Sequence, residues 1–165
     1  MMRMSKSFRA RWQQEGMDDL LNSIILQPRL RALVDTPLVR KAGGLLLEPL
    51  TAHATGPEAF QDRTGYEAFI NKIHVDDFLD DPAKTNKDRL SVLIQQGAKA
   101  AVRLAERLEK EGPYRVLLSL DLPSLDEGLP TMALRFFERR IGEPWIDEDL
   151  DAYQLEEIFI IDTNA

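Results

Sequence analysis

The chain of 165 residues contains no cysteine, which excludes disulfides and thiolate chemistry. It has only two histidines, His53 and His74, and neither lies in a His-Glu-x-x-His pair. No Gly-x-Ser-x-Gly surrounds Ser119 or Ser124, and no Gly-Lys-Ser or Gly-Lys-Thr follows Gly43-Gly44. The common signatures of zinc peptidases, α/β-hydrolases and phosphate-binding loops are therefore missing. No apolar run approaches the roughly 18 residues that a membrane span requires. Near the basic N-terminus, Arg9, Arg11 and Trp12 stand where a signal peptide needs its apolar stretch. These absences lead to the expectation of a cytoplasmic protein without cofactor and without membrane contact.

What is present describes a folded domain. Hydrophobic residues make up 44% and charged residues 30%, which is globular rather than disordered composition. The length suits one domain with its own core. The expected division is a basic arm over 1–16 and a single α+β domain over 17–165. In the arm, Arg3, Lys6, Arg9 and Arg11 surround Phe8 and Trp12, and residues 1–14 hold no acid. That mixture suits RNA, and equally a solvated terminus whose Trp12 packs on the domain.

The clearest element is a helix over 85–111. Thr85 precedes Asp88 by three residues, as in a capping box. Leu90, Leu93, Ile94, Gly97, Ala101, Leu104, Ala105 and Leu108 share one face at 100° per residue, and Lys99, Arg103, Glu106 and Lys110 lie opposite. Val92 breaks the pattern. Gly112-Pro113 ends the helix. The small residues Gly97, Ala98, Ala100 and Ala101 mark a close approach to another backbone, expected to be a sheet.

Upstream, Asp18 reads as the cap of a helix through Ile25. Pro28 opens a second short helix reaching Val34, and Pro37 reads as the start of a third. Leu45-Leu46-Leu47 fits helix or edge strand. Residues 66–75 fit both periods and are read here as strand, with Phe69, Ile73 and Val75 on one face. Downstream, Tyr114 to Asp121 is an uncharged β-rich run after Arg115, as expected of a central strand. Strands follow over 131–140 and 155–162, with a helical turn over 147–153. The fold expected is α+β: short N-terminal helices, then a mostly antiparallel sheet of about four strands packed by the long helix.

Net charge is −7, from 28 acids and 21 bases. The stretch 143–157 alone holds seven acids and no Lys or Arg, so it accounts for the whole imbalance. An acidic body repels phosphate, and a basic protein is the better partner than nucleic acid. Trp145, Asp147, Glu148, Asp149, Asp151 and Tyr153 are the candidate partner-binding residues, since charge steers an encounter and aromatics anchor it. The competing reading has Trp145 and Leu150 tucked inward and Arg135, Arg139 and Arg140 neutralising these acids. A second candidate site is metal-binding: His74, Asp76, Asp77 and Asp80 could hold a divalent cation for hydrolase or nuclease chemistry. Self-association through an open strand edge is a third reading.

Three segments bear on the choice: Glu67-Ala-Phe-Ile-Asn-Lys-Ile-His-Val-Asp-Asp77, Arg135-Phe-Phe-Glu-Arg-Arg140 with Gly142-Glu-Pro-Trp145, and the strand from Leu155 to Ile161. Together they resemble immunity proteins of bacterial contact-dependent growth inhibition systems, over roughly residues 66 to 162. The resemblance implies a cytoplasmic, non-enzymatic protein that binds one toxin, often a nuclease, and blocks it. It assigns no individual residue a role.

Overall fold

The long helix, α5 (Asn86–Leu108), lies across a five-stranded antiparallel sheet and buries Leu93, Ile94, Ala98, Ala101, Leu104 and Leu108 completely. The computed structural model describes residues 1–53, 55–79, 86–122 and 128–164. Thr85, Asp80 and residues 123–127 fall outside the described residues. Mid-helix, a Cβ on Gly97 would collide with Met132 Sδ and come within 3.4 Å of Leu118. The small-residue patch is thus the place where the helix backbone meets the sheet, as expected.

The sheet order is β1-β7-β5-β6-β4. Strand β5 (Tyr114–Asp121) is central, buried at every position but its last, which explains its near-continuous apolar run. It pairs antiparallel with β6 (Thr131–Glu138) on one side and β7 (Glu156–Asp162) on the other. Strand β4 (Ile73–His74) adds two residues beyond β6. Both β4 and β5 run antiparallel to β6, so they are parallel to each other with β6 between them and α5 linking them.

Alternation along the strands divides the sheet into two apolar faces. Val116, Leu118, Leu120, Met132, Leu134, Phe136, Phe159 and Ile161 face α5 and the N-terminal helices. Leu117, Phe137, Ile158 and Ile160 face the other way.

Residues 1–16 are not a loose arm. Strand β1 (Met2–Met4) pairs with β7 at the sheet edge, and α1 (Lys6–Gln14) follows at once. Ser5 makes the corner: its main-chain N–H donates to Ile158 O at 2.9 Å and its hydroxyl accepts from Phe8 N and Ile158 N. Phe8 stacks on Phe159 at 5.6 Å and Trp12 packs on the same ring at 5.4 Å. Lys6 and Arg9 are on the solvent side of α1, whose two aromatics are core, while Arg3 of β1 and Arg11 are half-buried in ion pairs.

Three other expectations are corrected. Asp18 caps nothing; helix α2 (Met17–Leu20) starts after Gly16 in the left-handed region, and the Asp18 carboxylate accepts the Trp12 indole N–H at 2.7 Å. After α3 (Pro28–Val34), which Pro28 opens as expected, Pro37 leads into a hairpin, β2 (Leu38–Lys41) and β3 (Gly44–Leu47). Ala42 and Gly43 both take positive φ, as a two-residue hairpin loop demands. Finally, the strand expected over 66–75 is mostly helix α4 (Arg63–Ile70). Asp62 caps it by accepting from Gly65 N at 2.6 Å, a signal that outweighs the ambiguous apolar spacing. Only Ile73 and His74 are strand.

Helix α4 joins the hairpin to the main sheet. Glu67, with no exposed surface, accepts from Leu45 N at 2.7 Å, Glu138 N at 2.9 Å and Arg140 Nη1 at 2.7 Å. Asn71 accepts from Leu47 N and donates to Leu45 O and Phe136 O. Asp76 accepts from Met132 N. Side chains thereby satisfy the outer edge of β6, which a bare strand would leave open for pairing. Among the described residues no helix is long and apolar enough to cross a membrane.

Candidate functional site

The second face of the sheet is covered by the segment from Ile141 to Leu155, a strap with little regular structure beyond a 3₁₀ turn at Leu150–Ala152. Ile146 and Leu150 are its apolar anchors, packed on Leu117, Phe137, Ile158 and Ile160 together with Ala68 of α4. The turn forms because Asp149 accepts from Asp151 N, and Asp147 from Asp149 N, the usual use of Asp side chains in turns. Tyr153 accepts from Asp147 N through its hydroxyl at 2.7 Å, closing the loop on itself.

Several acids of the 143–157 stretch are held by the rest of the chain. Glu143 accepts from the Thr64 hydroxyl at 2.9 Å and from Thr64 N. Glu148 binds Arg3 at 2.5 Å and Arg115 at 3.1 Å. Asp151 accepts from Lys6 N at 2.7 Å and lies 3.3 Å from its ammonium. Glu157 pairs with Arg11 at 2.6 Å. Beneath the strap, Arg115 forks onto Asp162 at 2.7 and 3.1 Å, both groups being buried and directly opposed in the β5–β7 register. Burial pushes the Asp162 carboxyl up, but the Arg115 hydrogen bonds and the fields of Arg115, Arg139 and Arg3 outweigh it and hold it below the usual range. Glu148 is held low in the same way, against some desolvation, by Arg3 and Arg115. For Glu143 the lowering comes, again against desolvation, from Thr64 and the Arg140 charge.

The neutralising groups are therefore mostly not the ones nearest in sequence. Arg139 donates to Thr163 O and Asn164 O, and Arg140 to Glu67 and Glu138. Arg3, Lys6, Arg11 and Arg115 do the work instead. Sequence reading missed these because their partnership depends on β1 lying beside β7. The lone Arg115 at the start of an apolar strand, matched by Asp162 at the end of another, was the one visible hint.

Of the six candidate partner-binding residues, Glu148 and Asp151 are tied inward while remaining on the surface. Asp147 and Asp149 are exposed and, among the described residues, form no ion pair. Trp145 is 36% exposed, set against Phe137 at 5.2 Å and under the Arg135 guanidinium at 5.3 Å. Tyr153 is half-buried. Around them Ile141 and Leu155 are largely free of protein contact, at 107% and 85% exposure. An open groove of about 910 Å³ runs beside this surface, lined by Phe137, Arg139, Arg140, Ile141, Trp145 and Glu148 among others.

Among the described residues the metal candidate does not assemble. His74 is exposed on β4, Asp77 is exposed, and Asp80 lies outside the described residues. Asp76 is committed to Met132 N at 3.3 Å and Arg89 at 3.6 Å. Among the described residues no three His, Asp or Glu side chains converge in a way that would hold an ion. In its described part the acidic segment is a turn at Val75–Phe78 in which Asp76 fastens α5 and β6 together.

The chain belongs to the uncharacterized protein PM0498 family, whose model matches residues 5–165. No curated protein and no solved structure matches it.

Proposed function

We propose that this member of the family is a non-enzymatic protein-binding module that docks a basic protein on the strap from Ile141 to Leu155. The single observation behind the proposal is the composition of that surface. Exposed Ile141, Trp145 and Leu155 flank Asp147 and Asp149, carboxylates without a cation of their own among the described residues. Acids without an ion-pair partner among the described residues, flanked by apolar anchors on a segment fixed from behind by Ile146 and Leu150, are a preorganised surface of the kind that binds without a large ordering cost. The inward acids serve the same end, because they hold the strap in one shape. In its most specific form the reading is an immunity or antitoxin-type protein, acting in the cytoplasm, that neutralises a basic toxin such as a nuclease by covering it.

The test compares proteins retained from the native host by three immobilised chains: the wild type, Asp147→Asn/Asp149→Asn, and Glu106→Gln/Glu109→Gln, two exposed acids at and just past the end of α5. Asparagine keeps the side-chain oxygen that each turn uses and removes only the charge. A basic protein retained by the wild type and the α5 variant, but depleted on the strap variant, is the expected result. Equal retention on all three overturns the reading.

A further inference from the structure

Arg135 occupies the middle of β6 on the face that carries the strap. Its guanidinium carbon lies 5.3 Å from the centroid of the Trp145 ring. The side chain is half-buried. Every other buried or half-buried arginine among the described residues donates to a carboxylate or a main-chain carbonyl: Arg115 and Arg140 to carboxylates, for instance, and Arg107 to Val34 O and Thr36 O. Among the described residues Arg135 has neither a hydrogen bond nor an ion pair. Burial holds its pKa below the ordinary arginine value, and the field of Glu156 opposes this without direct contact.

Arg135 is only half-buried and its nitrogens are not among the buried unpartnered side-chain atoms, so its N–H groups are open to water and to an incoming acceptor. Stacking on an indole stabilises the cation through the ring face and restricts its orientation. It leaves the N–H edges of the guanidinium available, and those edges match the two oxygens of a carboxylate. The strap also carries the exposed carboxylates of Asp147 and Asp149 just beyond Trp145, so the same segment favours cations beside that carboxylate.

We propose that Arg135 and Trp145 form a carboxylate-binding site, filled by an acidic side chain that the protein partner presents beside basic ones. This rests on the strap being the docking face, and it changes the description of the partner: its contact region is basic overall and carries an Asp or Glu where it meets Arg135. Arg135 is then a specificity-determining residue, since a uniformly basic surface would leave its charge opposed.

The two tryptophans make the test direct. Trp12 is buried with its N–H on Asp18 and serves as an internal reference, while Trp145 reports the site. The indole N–H resonances of the isolated protein are followed by NMR during titration with sodium acetate, with sodium chloride at equal ionic strength, and with the capped peptides acetyl-Lys-Glu-Lys-amide and acetyl-Lys-Gln-Lys-amide. Acetate and the Glu peptide are expected to move Trp145 saturably, and chloride and the Gln peptide to leave it unmoved. The Glu peptide is expected to saturate at about tenfold lower concentration than acetate, because its lysines meet the strap acids. Arg135→Gln should abolish the response with the Trp12 resonance unchanged, and Arg135→Lys should weaken it by losing the fork. A Trp145 shift that chloride reproduces, or that survives in Arg135→Gln, overturns the site. Saturation by acetate at lower concentration than the Glu peptide overturns the protein source and assigns the site to a free carboxylic acid. A working acetate titration beside a failed host-capture experiment would retain the site and remove the docking reading; the opposite pair of results would do the reverse.

Discussion

Glu67 carries its charge where no water reaches it, and three donors meet it there: Leu45 N, Glu138 N and Arg140. The carboxylate is tolerable because each oxygen is satisfied and a guanidinium balances the charge. Glu67→Gln turns one acceptor into a donor facing a donor and leaves Arg140 without its buried counter-ion. The expected cost is about 3 kcal/mol or more, read as a fall in the urea midpoint with unchanged slope; a loss below about 1 kcal/mol would show that the hairpin does not depend on this link. The surface and sheet-end acids behave differently. Asp162, Glu148, Glu143 and Asp151 are all held below their ordinary values, so the folded chain binds fewer protons than the unfolded one as acid is added. Their contribution is fully present above the ordinary carboxylate range and is lost as pH falls through the lowered values. Stability is therefore expected to be nearly flat from pH 7 to about 5 and to decline below about pH 4. A midpoint that holds constant to about pH 3 would contradict these ion pairs. At this scale the sequence was least legible. The residue types were visible, but Glu67 read as one acid among several on an ambiguous segment, and nothing local marked it as buried.

Helix α5 shows the opposite case. Its apolar face, its small-residue patch and its end at Gly112-Pro113 were all readable, because a long helix averages its pattern over many turns. The patch allows a sharp test. Gly97→Ala should raise helix propensity by about 1 kcal/mol, yet its Cβ would collide with Met132 Sδ. A net loss of about 1–2 kcal/mol is expected, and in Gly97→Ala/Met132→Ala the two costs should add to less than their sum. A stabilised Gly97→Ala would mean that helix and sheet are not in close contact there. Short elements were harder to read. In residues 66–75 a few apolar positions fit both periods, and the decisive feature was Asp62 as cap, upstream of the window. Pro37 opens a strand rather than a helix because Ala42-Gly43 close a tight hairpin. The charge of the N-terminal segment hides its packing: Arg3 in β1 and Lys6, Arg9 and Arg11 in α1 obscure the two core aromatics Phe8 and Trp12. Beginning the chain at Met17 removes both rings from Phe159 and strips β1 from β7. Each buried aromatic is worth about 3–5 kcal/mol, against a whole-domain stability of about 5–15. The shortened chain is expected to lose its near-ultraviolet circular dichroism and cooperative melting, whereas a detachable arm would leave both intact.

Taken as one body, the molecule is a sheet covered differently on its two faces. Helices seal one side with conventional apolar packing. The other side is sealed by a strap whose two apolar anchors are supplemented by ion pairs reaching to Arg3, Lys6 and Arg115. The α+β class and the central place of β5 followed from the order and texture of the segments. That the acidic stretch covers the sheet did not follow, because its cations come from the opposite end of the chain and meet it only once β1 joins β7. The surplus negative charge accordingly divides into carboxylates that hold the strap and carboxylates that face outward, and the docking proposal concerns Asp147 and Asp149 alone. The most direct measurement is the association rate of the partner retained from the host, followed by surface plasmon resonance with wild type and Asp147→Asn/Asp149→Asn at about 0.01 M and about 1 M salt, between which the screening length falls roughly tenfold. The account expects the variant to associate several-fold more slowly at low salt and to converge with the wild type at high salt; equal rates at both would contradict it.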